Sequence, residues 1–249
     1  MSTLFGSDHV GKTICINQSN YLPWRGYFDL IRKSDEFIVF DHVQYTRRDW
    51  RNRNRIKTRT GLMWLTVPVE NADRLVVVQL IDETKVLNGY WVTKHLKTLH
   101  HCYHRAPHFD AVMGWLKPLY LDMAEEPFLS TINLRLLQAI SRALGLTTPL
   151  RRCTDLLGAN SLEGMDRTTR IIRLCQSAGA TRYLSGPAAK TYLNERTMAA
   201  AGIDVEWMDY GGYPDYPQLW GEFQPLVSIV DLLFCMGEKA GEYIGRRLP

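Results

Sequence analysis

The chain has 249 residues, of which 45% are hydrophobic and 22% are charged, which is enough to bury a full core. No run is long or apolar enough to span a bilayer, and the amino terminus lacks the charged and apolar regions of a signal peptide. Five irregularly spaced cysteines exclude a disulfide framework. We therefore expect a cytoplasmic protein with one domain over residues 1–249, in which residues 1–12 form a loose tail.

The first structural unit is a strand, a loop, a helix and a second strand. An apolar run at residues 13–17 ends in polar Gln18, and Pro23 then forbids a continuing ladder. A short helix is predicted after Gly26, and residues 37–40 form a second apolar run. Open α/β sheets bind ligands at the carboxyl ends of their strands. We therefore expect the polar loop after the first strand to converge with Asp41 and Gln44.

The rest of the chain alternates between strand and helix patterns. Strands are predicted at residues 62–69, 75–82, 149–154, 183–185 and 205–210, and helices at 168–178, around Met198 and from residue 226 onward. Residues 88–146 have helical periodicity throughout. The pattern predicts an α/β fold: a mostly parallel, Rossmann-like sheet flanked by helices, with a helical insertion at residues 88–146.

A row of cations is the sharpest local pattern. Arg51, Arg53, Arg55, Lys57 and Arg59 occupy every second position, which places them on one face of a strand. Guanidinium groups bind phosphate or carboxylate through paired hydrogen bonds, so the row predicts a site for a phosphorylated substrate. The alternative is a solvated loop. Nucleic acid is a less favoured ligand because charge is nearly balanced elsewhere.

Five histidines lie between residues 95 and 108. His100 and His104 are four residues apart on a predicted helix, as are His104 and His108, and such spacing can hold a zinc ion. No carboxylate lies where a metalloprotease needs one, and helical histidines more often pack or face water. We therefore expect no metal site.

Two later segments offer further candidates. Ser185 and Gly186 end a predicted strand before a helix, where free backbone amides and nearby Lys190 suit an anion, although the same residues suit a simple helix cap. Tyr216 and Gln218 belong to an aromatic, proline-rich loop that either stacks on a sugar or base or fills a gap between elements. Gap filling is the favoured interpretation of that loop.

Five segments together resemble the WbqC-like protein family. They read QSNYLPWRGYFDLI from residue 18, DHVQYTRRDWRNRNRIK from 41, GLMWLTVPV from 61, YLSGPAAKTYL from 183 and YPDYPQLWGEFQPLVSIVDLLFCMG from 213. The resemblance implies a role in bacterial surface-polysaccharide or O-antigen biosynthesis, where glycine or another acyl group is attached to an amino sugar. Ser19 stands where the family has a proline, and the four histidines after His95 are not part of its pattern.

The first unit also resembles, more distantly, the pantothenate synthetase-type nucleotidyltransferase fold. That resemblance implies a loop and helix amino terminus that cradle ATP phosphates, and an acyl-adenylate that an amine captures to form an amide. The two histidines of that signature are absent, and Tyr27 stands where the second would lie.

These observations lead us to expect an amide-forming acyl or aminoacyl transferase, or an ATP-dependent ligase, that acts on a nucleotide-linked amino sugar or similar small amine. Its cofactor would be ATP or an aminoacyl donor, with tRNA left open as the donor. The alternative is a noncatalytic module that grips a phosphorylated polymer or a protein. Asp41 or His95 would take a proton from the attacking amine.

The candidate residues fall into two groups. The catalytic candidates are Gln18, Tyr21, Asp41 and His95. The substrate-binding candidates are Asn20, Trp24, Tyr27, Gln44, Trp50, Asn52, Arg53, Arg55, Lys57, Ser185, Gly186, Lys190, Tyr216 and Gln218.

Overall fold

The computed structural model describes residues 11–70 and 79–246. The strands are β1 (Thr13–Asn17), β2 (Glu36–Val39), β3 (Arg53–Thr58), β4 (Gly61–Thr66), β5 (Leu150–Arg152), β6 (Arg182–Ser185) and β7 (Asp204–Trp207). The α-helices are α1 (Arg25–Arg32), α2 (Tyr90–Tyr103), α3 (Phe109–Asp122), α4 (Leu129–Ala143), α5 (Cys153–Leu156), α6 (Arg167–Ser177), α7 (Glu195–Ala200) and α8 (Ile229–Met236). Short 3-10 helices cover Ala159–Leu162, Pro187–Thr191 and Gly237–Tyr243.

Five strands form a parallel sheet in the order β5-β2-β1-β6-β7. The chain moves from β1 through β2 to β5 on one side, and from β6 to β7 on the other. The direction therefore reverses between β1 and β6, and the crevice at their carboxyl ends is the topological switch point where such sheets bind ligands. The predicted α/β fold with a parallel sheet flanked by helices is confirmed.

Both faces of the sheet are covered, which explains the continuous apolar sequence of β1. Cys15 packs into one hydrophobic cluster together with α2, α3, α4 and α8, whereas Ile14 and Ile16 pack into a second cluster with α6 and α7. A strand buried on both faces has no polar alternation. Helices α2, α3 and α4 follow one another between β4 and β5, so the helical insertion predicted for residues 88–146 is confirmed.

Strands β3 and β4 form an antiparallel hairpin outside the parallel sheet, with Arg55 opposite Trp64. Its turn ends at Gly61, whose φ of 122° is strained for any residue with a side chain. Because side chains alternate along a strand, Arg53, Arg55 and Trp64 share one face of the hairpin.

Two predicted segments reach beyond the described residues. Most of the expected loose tail, residues 1–10, and part of the strand expected at residues 75–82 lie there. At the described end of that tail, Lys12 is anchored by an ion pair of 2.7 Å between its Nζ and Glu36. Within residues 11–70 and 79–246, no helix has the length and apolar character that crossing a membrane requires.

Asp41 ties the end of β2 to the loop after β1 and to α4. Its Oδ1 accepts a hydrogen bond of 2.7 Å from the backbone amide of Ser19, and its Oδ2 accepts one of 2.5 Å from the Ser130 hydroxyl. Asn133 of α4 donates to Ser19 Oγ and to the carbonyl of Arg51. The predicted convergence of this loop with Asp41 is therefore observed.

The same contacts withdraw Asp41 from the solvent, since only 3% of it is exposed. Burial raises the pKa of its carboxyl group, while hydrogen bonds from Ser130 and Ser19 and the charge of Arg51 act in the opposite direction. A carboxylate already engaged by two buried donors is a structural link, so we do not retain Asp41 as the base that deprotonates a substrate amine.

We predict that Asp41→Ala lowers the free energy of unfolding by about 3 kcal/mol, because the Ser19 amide and the Ser130 hydroxyl lose their buried acceptors. Urea denaturation of the purified protein measures this change. The matched control is Asp204→Ala on an exposed position of β7, for which we expect a change within about 0.5 kcal/mol. Unaltered stability in Asp41→Ala would contradict the structural role.

Candidate functional site

The loop after β1 makes a tight bend held by three neighbouring elements. The amide of Tyr21 donates to the carbonyl of Trp50, and the amide of Ile229 in α8 donates to the carbonyl of Pro23. From β3, Asn54 Nδ2 donates to the carbonyl of Leu22 at 2.8 Å. These bonds hold Leu22 at a φ of 44°, a left-handed conformation that costs a non-glycine residue about 1–2 kcal/mol.

A hollow of about 170 Å³ lies between this bend, the hairpin and the segment before α8. It opens beyond the carboxyl end of β1, beside the topological switch point. Its lining consists of Asn20, Pro23, Trp24, Trp50, Asn54, Arg55 and Leu226. Of the predicted site residues, the structure therefore gathers Asn20, Trp24, Trp50 and Arg55 around one cavity.

Two polar atoms in the lining lack partners within the part of the chain that the structure describes. They are Oδ1 of Asn20 and Nε of Arg55, both withdrawn from solvent. The Arg55 guanidinium lies 5.9 Å from the ring centroid of Trp50 and 5.6 Å from that of Trp64. The Asn20 and Arg55 side chains are both half-buried and line the hollow, so an amide and a guanidinium border any molecule in it.

Trp24 forms one wall of the hollow and is fixed from behind. Its ring packs 5.1 Å from that of Tyr210, centroid to centroid. A Cβ on Gly26 would lie only 2.3 Å from the Trp24 indole, so the absence of a side chain at Gly26 lets the indole lie across the first turn of α1. The position of this wall is therefore set by close packing.

The remaining candidates of the sheet edge lie near the switch point without lining the hollow. Gln18 is half-buried and its carbonyl accepts a bond from the Tyr27 hydroxyl, which is itself buried. Ser185 is buried and donates to the Tyr183 hydroxyl. Gly186 approaches the Tyr210 hydroxyl, since a Cβ there would lie 3.1 Å from it. Lys190 is exposed and lies 5.2 Å from the Trp207 ring centroid.

Tyr21 and His95 are placed in the core and away from the hollow. Both are buried, and the Tyr21 hydroxyl lies 2.8 Å from His95 Nδ1 and 2.5 Å from the Tyr120 hydroxyl. Because His95 Nε2 faces the Thr66 carbonyl at 3.1 Å, Nε2 carries the proton and Nδ1 accepts from Tyr21. We therefore do not retain Tyr21 as a residue that orients substrate, or His95 as a base acting on it.

Outside the hollow, one hydrogen-bond network joins Lys57, Gln218 and Tyr216. Lys57 Nζ donates to Gln218 Oε1 at 2.8 Å and to the carbonyl of Glu222 at 2.5 Å. Gln218 Nε2 donates to the Tyr216 hydroxyl, which in turn donates to Asp231. The network fastens the 213–226 loop to the hairpin and to α8. This agrees with gap filling by the loop, and none of the three side chains lines the hollow beside Asn20.

The row of five cations is also divided by the fold. Arg51 precedes β3, is buried, and donates to the carbonyl of Ser19 at 3.2 Å. Lys57 is buried as described, and Arg59 lies exposed at the hairpin turn. Only Arg53 and Arg55 lie half-buried beside the aromatic rings, and Arg53 Nη2 donates to the Arg48 carbonyl.

Two further candidates, Asn52 and Gln44, lie outside the hollow. Asn52 is buried and its Nδ2 donates to the carbonyl of Val67, which holds the segment that follows β4. Gln44 is exposed, and its backbone forms an isolated bridge with Leu80. Neither side chain lines the hollow, so the expected convergence of Gln44 with the polar loop is not observed.

The histidines of α2 do not gather ligands around a metal position. The rings of His100 and His104 stack on each other with centroids 5.5 Å apart. No group of three or more His, Cys, Asp or Glu side chains suited to a metal ion occurs among residues 11–70 and 79–246.

Three lining residues were not among the predicted site residues, Pro23, Asn54 and Leu226, and neither was Trp64, which lies beside the lining. Trp64 belonged to an apolar run that predicted only a strand, although register with β3 places it opposite Arg55. Trp64 is 42% exposed. The sequence could not show this, because an apolar run does not reveal which of its members face solvent. Asn54 is identified only by its contacts with the bend.

Comparison with known proteins finds one family model and one relative that match most of the chain. The model of the WbqC-like protein family matches residues 18–243. The chain is 48% identical over 233 residues to the uncharacterized protein Rv1507c of Mycobacterium tuberculosis, with 94% of this chain and 97% of that protein covered. No solved structure matches the chain.

The buried histidine makes stability depend on pH. Burial lowers the pKa of His95 from 6.5 to about 4, so the unfolded chain binds a proton at a pH where the folded chain does not. We predict that the contribution of His95 to stability is constant above about pH 6.5 and falls by up to about 3 kcal/mol as the pH is lowered to about 4. Urea denaturation at several pH values measures this slope.

His95→Gln should flatten that slope, because glutamine does not titrate. His101→Gln, an exposed histidine on the same helix, is the matched control and should keep the wild-type slope. Equal slopes in His95→Gln and the wild type would show that His95 titrates normally in the folded protein.

Proposed function

Because this chain belongs to the WbqC-like protein family, we propose that it is an amide-forming acyl or aminoacyl transferase, or an ATP-dependent ligase, with a nucleotide-linked amino sugar or similar small amine as acceptor. The transferred group would be glycyl or a related acyl group, in polysaccharide or related biosynthesis. The observation that carries the proposal is the hollow, which is lined by the Arg55 guanidinium, the Asn20 amide and the indoles of Trp24 and Trp50.

Arg55 supports an anionic ligand. Its guanidinium is always charged, and an Nε–H withdrawn from solvent without an acceptor is costly. A phosphate or carboxylate in the hollow would balance the charge of this guanidinium. Because Arg55 lines the hollow and forms no ion pair within the described residues, it favours binding of an anion over a merely solvated surface.

Asn20 supports a ligand that also donates a hydrogen bond. Its half-buried amide lines the hollow, and an amide group can both donate to and accept from the hydroxyl and amino groups of an amino sugar. The indoles of Trp24 and Trp50 offer flat apolar walls for a sugar ring. A volume of about 170 Å³ lies below the roughly 300–1,000 Å³ of pockets that bury a whole drug-sized ligand, so the hollow suits one small group and not a polymer chain.

The proposed chemistry relies on positioning and charge stabilisation. The amine loses a proton and forms the new C–N bond while the donor's leaving group departs. No carboxylate or imidazole belongs to the lining described above, so binding of both reactants and stabilisation of the developing negative charge by Arg55 would provide most of the rate. The acyl donor would be an adenylate made from ATP or an aminoacyl carrier, tRNA included.

A cytoplasmic location is part of this proposal. All five cysteines are free and buried, which suits a reducing compartment where activated acyl donors are made.

The second candidate is a noncatalytic module that binds a phosphorylated polymer or a phosphorylated protein. The absence of a general base from the lining favours it, because anion binding needs none. The two candidates differ in product: only the first forms a new amide.

We predict that Arg55→Ala weakens binding of uridine diphosphate glucosamine by about 10- to 100-fold, because a charge-assisted hydrogen bond to the phosphate is lost. Isothermal titration calorimetry measures the affinity. Mass spectrometry of the wild-type protein incubated with this sugar, glycine and ATP, or with glycyl-tRNA, detects the amide.

Arg59→Ala is the matched control, since Arg59 lies at the hairpin turn outside the hollow. It should bind like the wild type. Binding no tighter than millimolar for the wild type with nucleotide sugars and ATP alike would sink the proposal. Tight binding of polyphosphate with no amide product for any donor would establish the second candidate.

A further inference from the structure

Two tryptophans on the hairpin side of the hollow remain exposed. Trp50 and Trp64 expose 40% and 42% of their surfaces, and their ring centroids are 5.5 Å apart with the planes tilted by 38°. An indole is among the costliest side chains to leave in water, so a pair of half-exposed indoles marks a binding surface.

Each ring has a guanidinium beside it. The Arg53 guanidinium lies 4.2 Å from the Trp64 ring centroid, and that of Arg55 lies within 6 Å of both rings. Nε of Arg53 and Nε of Arg55 both lack partners in the described part of the chain. Flat aromatic rings next to unpaired cations are suited to an unpaired nucleobase that carries phosphate.

We call Trp50, Trp64, Arg53 and Arg55 the tryptophan platform. It is continuous with the hollow, because Trp50 and Arg55 line both. The gap between its rings is too narrow for intercalation, since a base between two rings needs about 3.5 Å on each side. A base would therefore stack on a ring face that is covered neither by the other indole nor by the Arg53 guanidinium, which lies over Trp64.

We propose that the tryptophan platform stacks the base of a nucleoside diphosphate, with Arg53 and Arg55 on its two phosphates and the attached amine-bearing group in the hollow. This inference rests on the proposed function and names the carrier of the acceptor. On the β3 side of the platform a single nucleotide fits better than an RNA strand, because Lys57, the next cation along β3, is engaged by Gln218.

The experiment compares uridine diphosphate, adenosine diphosphate, inorganic pyrophosphate and a short single-stranded RNA by calorimetry. We expect at least one nucleoside diphosphate to bind the wild type about tenfold more tightly than pyrophosphate. Trp64→Leu should remove that advantage and leave pyrophosphate binding unchanged. Trp64→Phe should restore most of it, because a ring is again available. Tyr90→Leu, at an aromatic position 83% exposed on α2, is the matched control and should bind like the wild type.

The outcomes separate this inference from the proposed function. Equal binding of nucleotides and pyrophosphate overturns the platform and leaves an anion site in the hollow. Equal losses for nucleotide and pyrophosphate in Trp64→Leu also overturn it, since Trp64 then acts only through the hairpin. RNA that binds more tightly than the nucleotides, with affinity falling steeply as salt rises, assigns the surface to a nucleic-acid strand instead. Failure of every anion to bind sinks the proposed function as well.

Discussion

The bend after β1 has no secondary structure of its own, so its buried backbone groups must find partners elsewhere. They find them in several elements at once: the Ser19 amide bonds to Asp41, the Tyr21 amide bonds to the Trp50 carbonyl, and the Leu22 carbonyl accepts from Asn54. Because each bond comes from a different part of the chain, the bend is over-determined. That condition allows Leu22 to keep a strained φ and holds Asn20 and Trp24 at the rim of the hollow.

The parallel sheet was predictable because its signals are local. Apolar runs such as residues 13–17 and 37–40 have the length and composition of buried strands, and the helical stripes between them fix the alternation. The division of the basic row was not predictable. Alternation correctly places Arg55 and Lys57 on one face, but whether a cation faces a cavity or a partner depends on the other half of the chain. Lys57 meets Gln218, 161 residues later, which no pattern in the row indicates.

The residues that carry the family resemblance also divide into those that line the hollow and those that hold the fold together. Tyr216, Gln218 and Asp231 match its motifs, and the structure assigns them to a network that fastens a loop. A motif therefore records what the fold needs as well as what a site needs. Ser19 illustrates the converse: it stands where the family resemblance implies proline, yet its amide donates to Asp41 and its hydroxyl accepts from Asn133. A proline has no N–H to donate, so serine here fixes the loop through bonds instead of ring geometry.

Rigidity also decides what the hollow can do. A guanidinium held against two indoles loses hydration, and its unpaired Nε adds to that cost. The cost persists because the hairpin register holds Arg55 beside Trp50 and Trp64, which offer its Nε no hydrogen-bond acceptor. A flexible arginine would release little free energy on meeting an anion, since water already serves it and its rotamers must then be ordered. A preorganised and partly desolvated arginine avoids both losses, and the same arrangement would stabilise negative charge that develops on a bound substrate.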